Sequence, residues 1–162
     1  MRKDGRDDLL PGECVRRARR VRDGVDHLLT PVPSEGSGWP DADEANPFLR
    51  YRELLFSYRL AMAAGLDDAG YCDLVRRLDD AVAAVDGAGF RETPLVQVPQ
   101  LGARVWVKNE TGHVGGSHKA RHLMATMITL QVAEAAGVSP AKDAPMAIAS
   151  CGNAALAAAV VA

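Results

Sequence analysis

A lysine in a glycine-rich segment is the most chemically distinctive feature of this sequence. Lys119 lies in Gly112-His-Val-Gly-Gly-Ser-His-Lys-Ala-Arg121, directly before a segment with the apolar spacing of a helix. A positive charge at a helix N-terminus is disfavoured by roughly 0.3–1 kcal/mol, and Arg121 adds like-charge repulsion. Both effects favour the neutral amine, which is the form that Schiff-base chemistry requires. On its own, the segment is consistent with either a nucleophilic lysine or an ordinary surface lysine.

Two other chemistries are conceivable for a segment that contains both glycine and histidine. A nucleotide-binding P-loop needs glycine where His118 stands and serine or threonine where Ala120 stands. A metal site would use His118 and His122, but two cations lie between them and no carboxylate or thiol completes the ligand set. We therefore expect no metal, and hydrogen-bonding or structural roles for the histidines.

A second polar turn lies further along the chain. Ser150-Cys-Gly-Asn153 separates a short apolar segment, Met146–Ala149, from the alanine-rich segment Ala154–Ala162. We expect a strand before the turn and a helix after it, which is where ligands bind in α/β sheets. The N–H groups of such a turn can bind a carboxylate, and Asn153 adds an amide donor. The turn therefore predicts a second part of the same site.

The two motifs together resemble pyridoxal-phosphate-dependent enzymes of the tryptophan-synthase-β-like family (fold type II), and most nearly the threonine synthase and dehydratase-type members. The matching residues are Thr93-Pro-Leu95, Gly116-Ser-His-Lys-Ala-Arg121 and Ser150-Cys-Gly-Asn-Ala154, so the resemblance covers roughly residues 90–162. It implies an α/β fold with a parallel sheet flanked by helices. It also implies pyridoxal 5'-phosphate as the cofactor and a small amino acid as the substrate.

The resemblance assigns a role to each residue of the motifs. Lys119 would form the internal aldimine and carry the α-proton of the substrate, and Asn153 would hydrogen-bond the hydroxyl of the cofactor ring. Ser117 and His118 would lie near the cofactor phosphate or ring. The substrate carboxylate would bind to the turn formed by Ser150, Cys151, Gly152, Asn153 and Ala154. Many relatives have serine where Cys151 stands, and a thiol is the weaker donor, so carboxylate binding is expected to differ here.

The implied activity is that of a lyase or synthase working by β- or γ-elimination or replacement. The glycine-rich loop that grips the cofactor phosphate in this family, and the residue facing the pyridine nitrogen, come later than residue 162. The last helix also lacks a terminating signal. We therefore expect residues 1–162 to be the N-terminal part of a longer polypeptide and to be inactive alone. The alternative function is that of a non-catalytic relative or fragment, acting as a binding or regulatory partner.

The chain divides into a charged extension and linker (1–45), a helical segment (46–89) and the start of the catalytic core (90–162). In the helical segment we expect one helix from an Asn46 N-cap to Gly65, and a second over 68–85 whose buried face comprises Leu74, Leu78, Val82 and Val85. In the core we expect strands at 94–98 and 103–107. A helix capped by Ser117 should run to residue 136, with an apolar stripe of Leu123, Met127 and Leu130.

Composition narrows the classes of partner. The formal net charge is −2, whereas a nucleic-acid-binding domain normally carries a net positive charge. An arginine cluster near the N-terminus lacks interleaved aromatic residues, so we interpret it as a solvated face (Arg16, Arg17, Arg19, Arg20 and Arg22). No segment has the length and apolarity of a membrane span, and the cysteine pattern indicates a reducing compartment. We expect a cytoplasmic homo-oligomer that binds neither nucleic acid nor membrane.

Overall fold

The computed structural model describes residues 15–16, 30–31, 38–40, 43–138 and 146–162. Two short strands, β1 (Val15–Arg16) and β2 (Thr30–Pro31), pair antiparallel. The helices are α1 (Pro47–Arg50), α2 (Phe56–Ala63), α3 (Asp68–Asp86), α4 (Lys119–Ala135) and α5 (Asn153–Val161). The strands β3 (Leu95–Gln97) and β4 (Trp106–Lys108) lie between α3 and α4. Most of the predicted N-terminal extension, with its arginine cluster beyond Arg16, lies outside the described residues.

The first predicted helix begins as expected but is broken in two. Asn46 caps α1, because its side chain accepts a hydrogen bond from the Phe48 N–H at 2.8 Å. The chain then leaves the helical conformation, passes through a 3-10 turn at Arg52–Leu54, and is extended at Leu55 before α2 begins. The prediction of one continuous helix is therefore wrong. At the break, the Arg52 guanidinium donates to the Leu49 carbonyl and to the Asp68 carboxylate. Tertiary contacts such as the one with Asp68 override local helix propensity.

The second predicted helix is confirmed as α3. Asp67 caps it by accepting from the Gly70 N–H at 2.8 Å, and Gly87 ends it in the left-handed conformation at φ +85°. Leu74 and Val82 are buried as predicted, but Val85 is 68% exposed and its predicted burial is wrong. Tyr71 and Val75 are fully buried and extend the buried face towards the start of the helix instead.

The core lies where α4 packs against α2, α3 and α5. The buried face of α4 consists of Ala120, Met124, Ile128 and Val132, none of which is exposed. The predicted stripe is confirmed only in part, because Leu123 and Met127 are half-buried against this core whereas Leu130 is 40% exposed. Apolar residues occur on nearly every side of this helix, so their spacing did not distinguish the face that packs. No helix in the described part of the chain is both long enough and apolar enough to cross a membrane.

The strands before α4 form a hairpin. β3 and β4 pair antiparallel, with Leu95 opposite Lys108 and Gln97 opposite Trp106. Both predicted strands are present, but β3 is shorter than predicted, and β4 begins at Trp106 rather than Ala103 and ends at Lys108 rather than Val107. The predicted strand at Met146–Ala149 is wrong, because these residues have no regular secondary structure and are exposed. A strand requires ladder hydrogen bonds from a neighbour, and none of the described residues supplies them there. The described part is thus a helix-rich α/β structure whose strand pairs are antiparallel.

Candidate functional site

The glycine loop before α4 is a 3-10 turn at Val114–Gly116. Gly115 and Gly116 have φ angles of +62° and +67°, which glycine adopts without the strain that a side chain would cause. The Gly115 N–H donates to the Asp86 carboxylate at 3.1 Å, and the Gly116 N–H donates to the His113 carbonyl at 2.7 Å. The end of α3 therefore holds the loop in place, and both glycine amides are already hydrogen-bonded within the protein.

Lys119 is the first residue of α4, and its side chain is exposed. The buried Ser117 acts as a cap, since its Oγ accepts from the Lys119 N–H at 3.4 Å. His118 directly precedes the helix, is exposed and makes no capping hydrogen bond with its side chain. The Lys119 amine forms no hydrogen bond or ion pair within the described ranges. Lys108 differs, because its Nζ donates to the Thr93 carbonyl.

A closed set of hydrogen bonds connects the first turn of α4 to the segment before β3. The Glu110 carboxylate accepts from Thr93 Oγ1 at 2.6 Å and from Arg121 Nε at 3.3 Å, and Arg121 also donates to Thr93 Oγ1 at 3.2 Å. A further bond joins Arg121 to the Arg91 carbonyl at 3.2 Å. The predicted repulsion between Arg121 and Lys119 is thus offset by a carboxylate partner for Arg121.

The predicted turn at the start of α5 is open to solvent. Ser150, Cys151, Gly152 and Asn153 are all exposed, and Cys151 is a free thiol. Ser150 Oγ accepts from the Gly152 N–H at 3.4 Å. α5 begins at Asn153, and the N–H groups of Asn153 and Ala154 donate to no acceptor within the described residues. These unpaired donors at a helix N-terminus form a place where an anion is favoured.

The structure brings the two motifs onto neighbouring elements. A Cβ atom added to Gly115 would lie 3.6 Å from the Cα of Ala157, which is fully buried one helical turn after Asn153. The loop that precedes Lys119 therefore packs against the first turns of α5. Thr93, the first residue of the Thr93-Pro-Leu95 segment, lies in the same region, because its Oγ1 accepts a hydrogen bond from Arg121. Segments distant in sequence are thus gathered around the N-terminus of α4.

Sequence reasoning missed three polar residues that support this arrangement, namely Lys108, Glu110 and His113. His113 is buried against Phe90, with ring centroids 5.1 Å apart, and neither ring nitrogen has a hydrogen-bond partner among the described residues. Burial lowers the pKa of His113, and the charge of Arg121 adds to this effect. Burial alone would raise the pKa of Glu110, but the bond from Thr93 and the charge of Arg121 bring it below its usual value. Their position at the end of β4 and in the loop that follows it was the available signal.

A small cavity of about 120 Å³ lies beside His113 and Thr93. Its walls include Arg91, Thr93, Gly112 and His113, and Lys119 is not among its lining residues. Within residues 43–138 and 146–162, no three His, Cys, Asp or Glu side chains converge as a metal site would require. The chain matches no protein-family model, no curated protein and no solved structure. Any functional assignment therefore depends on the motifs and their geometry.

Proposed function

We propose that this protein is a pyridoxal-phosphate-dependent lyase or synthase that acts on a small amino acid by β- or γ-elimination or replacement. One observation carries the proposal. The glycine loop that presents the uncommitted amine of Lys119 packs against the helix that begins at Asn153. An amine without a partner among the described residues and a group of amide donors thus lie on adjacent elements, which supports the combination that the two sequence motifs predict.

The donor set fits the chemistry of the cofactor. A primary amine suits an aldehyde, the Asn153 amide suits a ring hydroxyl, and the free N–H groups at the start of α5 suit an anion. There is also room, because a Cβ atom on either Gly116 or Gly152 would meet no atom within 4 Å. When bound, pyridoxal phosphate supplies an electron sink for negative charge at the substrate Cα.

The residues of the chain then have distinct tasks. Lys119 Nζ would hold the cofactor and, once the substrate amine has replaced it there, would carry the proton at the substrate Cα. The Asn153 side chain donates a hydrogen bond to the ring oxygen, and the N–H groups of Asn153 and Ala154, with the Ser150 hydroxyl and the Cys151 thiol, bind the substrate carboxylate. Ser117 orients the backbone of Lys119, to which it is already bonded. His118, which is exposed and precedes Lys119 in the chain, would lie near the cofactor phosphate or ring.

The proposal includes a cytoplasmic, homo-oligomeric protein. Cys72 and Cys151 are free thiols, which suits a reducing compartment. The β3–β4 hairpin exposes large apolar side chains, of which Leu95 and Trp106 are 59% and 57% exposed, and such surfaces favour association.

An absorbance titration with pyridoxal phosphate tests the proposal. The chain has four lysines, Lys3, Lys108, Lys119 and Lys142. We expect wild type and a matched Lys142→Arg control to develop a visible band that borohydride bleaches, and Lys119→Arg to lose it. Asn153→Ala should shift the wavelength of the band without abolishing it. A band that is unchanged in Lys119→Arg would contradict the lysine assignment. No band in wild type would instead favour the binding or regulatory alternative.

A further inference from the structure

The pair formed by Glu110 and Arg121 is more sequestered than the other ion pairs of the described residues. Its two side chains are 20% and 27% exposed, whereas in each of the others at least one partner is half exposed or more. Both carboxylate oxygens of Glu110 are used, one by Thr93 and one by Arg121. A charge-assisted pair with this geometry restrains its partners more than a surface pair does.

The position of Arg121 in α4 gives this pair an influence on Lys119. The two residues are two positions apart in the helix, so their side chains leave the axis about 200° from each other. Between them, Ala120 is fully buried. Holding Arg121 against Glu110 therefore directs Lys119 to the opposite side of the helix.

The Glu110–Arg121 pair restrains the first turn of α4, whose backbone N–H groups have few other partners. The first turn of an α-helix lacks intrahelical partners for its N–H groups, and here, among the described residues, the Lys119 N–H donates only to Ser117 Oγ, at 3.4 Å. The backbone of Glu110 is itself held, because its carbonyl accepts from the His113 N–H at 3.1 Å. Glu110 is thus a fixed point to which the first turn is attached.

We infer that Glu110 is a positioning residue for Lys119: acting through Arg121, it fixes the rotation of the first turn of α4 and thereby the direction of the amine. This inference rests on the proposed function of Lys119. Glu110 touches neither cofactor nor substrate in this arrangement. Glu110 holds the Lys119 amine in one orientation, which lowers the free-energy cost of bringing the nitrogen to a carbonyl carbon.

The test is the rate at which pyridoxal phosphate with cyanoborohydride modifies each lysine, followed by peptide mass spectrometry. The rate at Lys119 is divided by the rates at Lys3 and Lys142 in the same sample. The variants are Glu110→Ala and the milder Glu110→Gln, which keeps the size of the side chain but removes its charge. Glu92→Gln is the matched control, since Glu92 pairs with Arg50 at 3.2 Å outside this set of bonds. Thermal melts identify variants that are folded at the assay temperature.

We expect the ratio to fall about tenfold in Glu110→Ala and by a smaller factor in Glu110→Gln, and to remain unchanged in Glu92→Gln. A purely structural role would lower the melting temperature and leave the ratio unchanged in folded protein. If Glu110→Ala does not fold, Glu110→Gln decides the question. A ratio in folded Glu110→Gln equal to that of wild type would overturn the inference. A wild-type protein in which Lys119 reacts no faster than Lys3 and Lys142 would reject the proposed function itself.

Discussion

The segment Gly115–Arg121 is attached to the rest of the protein by side chains, whereas Ser150–Ala154 is attached mainly by the packing of the helix it begins. In the first segment, Asp86 binds the loop and Glu110 binds the first helical turn through Arg121. In the second, Ser150 Oγ accepts from the Gly152 N–H within the turn, and anchoring comes from buried Ala157 and Val161 further along α5.

Under the proposed function, this difference gives the two motifs different tasks. Reactive groups are most effective when they are held rigidly before a ligand arrives, and the lysine motif has that character. The turn at Ser150–Ala154 has unpaired N–H groups and exposed side chains, so we expect it to adjust when a ligand provides acceptors. Parallel substitutions in and around the two segments test this difference in restraint.

The largest effect is expected beneath the lysine motif, at Phe90. Its ring is fully buried, lies 5.2 Å from Phe48 and 5.1 Å from His113 between centroids, and its N–H donates to Asp79 at 2.6 Å. Phe90→Ala should reduce the free energy of unfolding by about 3–5 kcal/mol, measured by urea titration. The control Leu156→Ala, at a position 54% exposed on α5, should change it by less than about 0.5 kcal/mol. Similar losses in both variants would remove the contrast between the two regions.

A smaller effect is expected from the glycines of the two motifs. Gly115 has a φ of +62°, so Gly115→Ala should cost about 1–2 kcal/mol because of the left-handed backbone. Crowding contributes little, since the added Cβ would be in ordinary contact with Ala157 at 3.6 Å. Gly152 has a φ of −135° and open space around it, so Gly152→Ala should change stability by less than about 0.5 kcal/mol. The same urea titration measures both, and a cost at Gly152 as large as that at Gly115 would show that the turn is as constrained as the loop.

Local signals in the sequence were sufficient for the ends of several elements. The Asn46-Pro47 start of α1, the left-handed Gly87 after α3 and the Gly137 after α4 were all predictable, because each depends on the conformation of one or two residues. The positions of Lys119 and Asn153 at helix starts followed from the same signals. Whether these two residues serve one site remains a prediction of the motifs.

Features that depend on distant residues were not predictable in this way. The bonds from Arg121 to Thr93 and from Arg52 to Asp68 span 28 and 16 positions, and no local pattern identifies such partners. The face that α4 buries depends on which helices surround it, and the apolar segment at Met146–Ala149 lacks a paired neighbour among the described residues. Each error therefore arose where packing or pairing, rather than local preference, decides the structure.

The most direct test of the central claim is to map the lysine that pyridoxal phosphate modifies. The protein is mixed with substoichiometric pyridoxal phosphate, reduced with borohydride, digested and analysed by mass spectrometry. We expect the phosphopyridoxyl group on Lys119, while Lys108, whose amine donates a hydrogen bond to the Thr93 carbonyl, remains unmodified. Modification of Lys108 in preference to Lys119, or a label spread evenly over all four lysines, would show that Lys119 is not the reactive lysine.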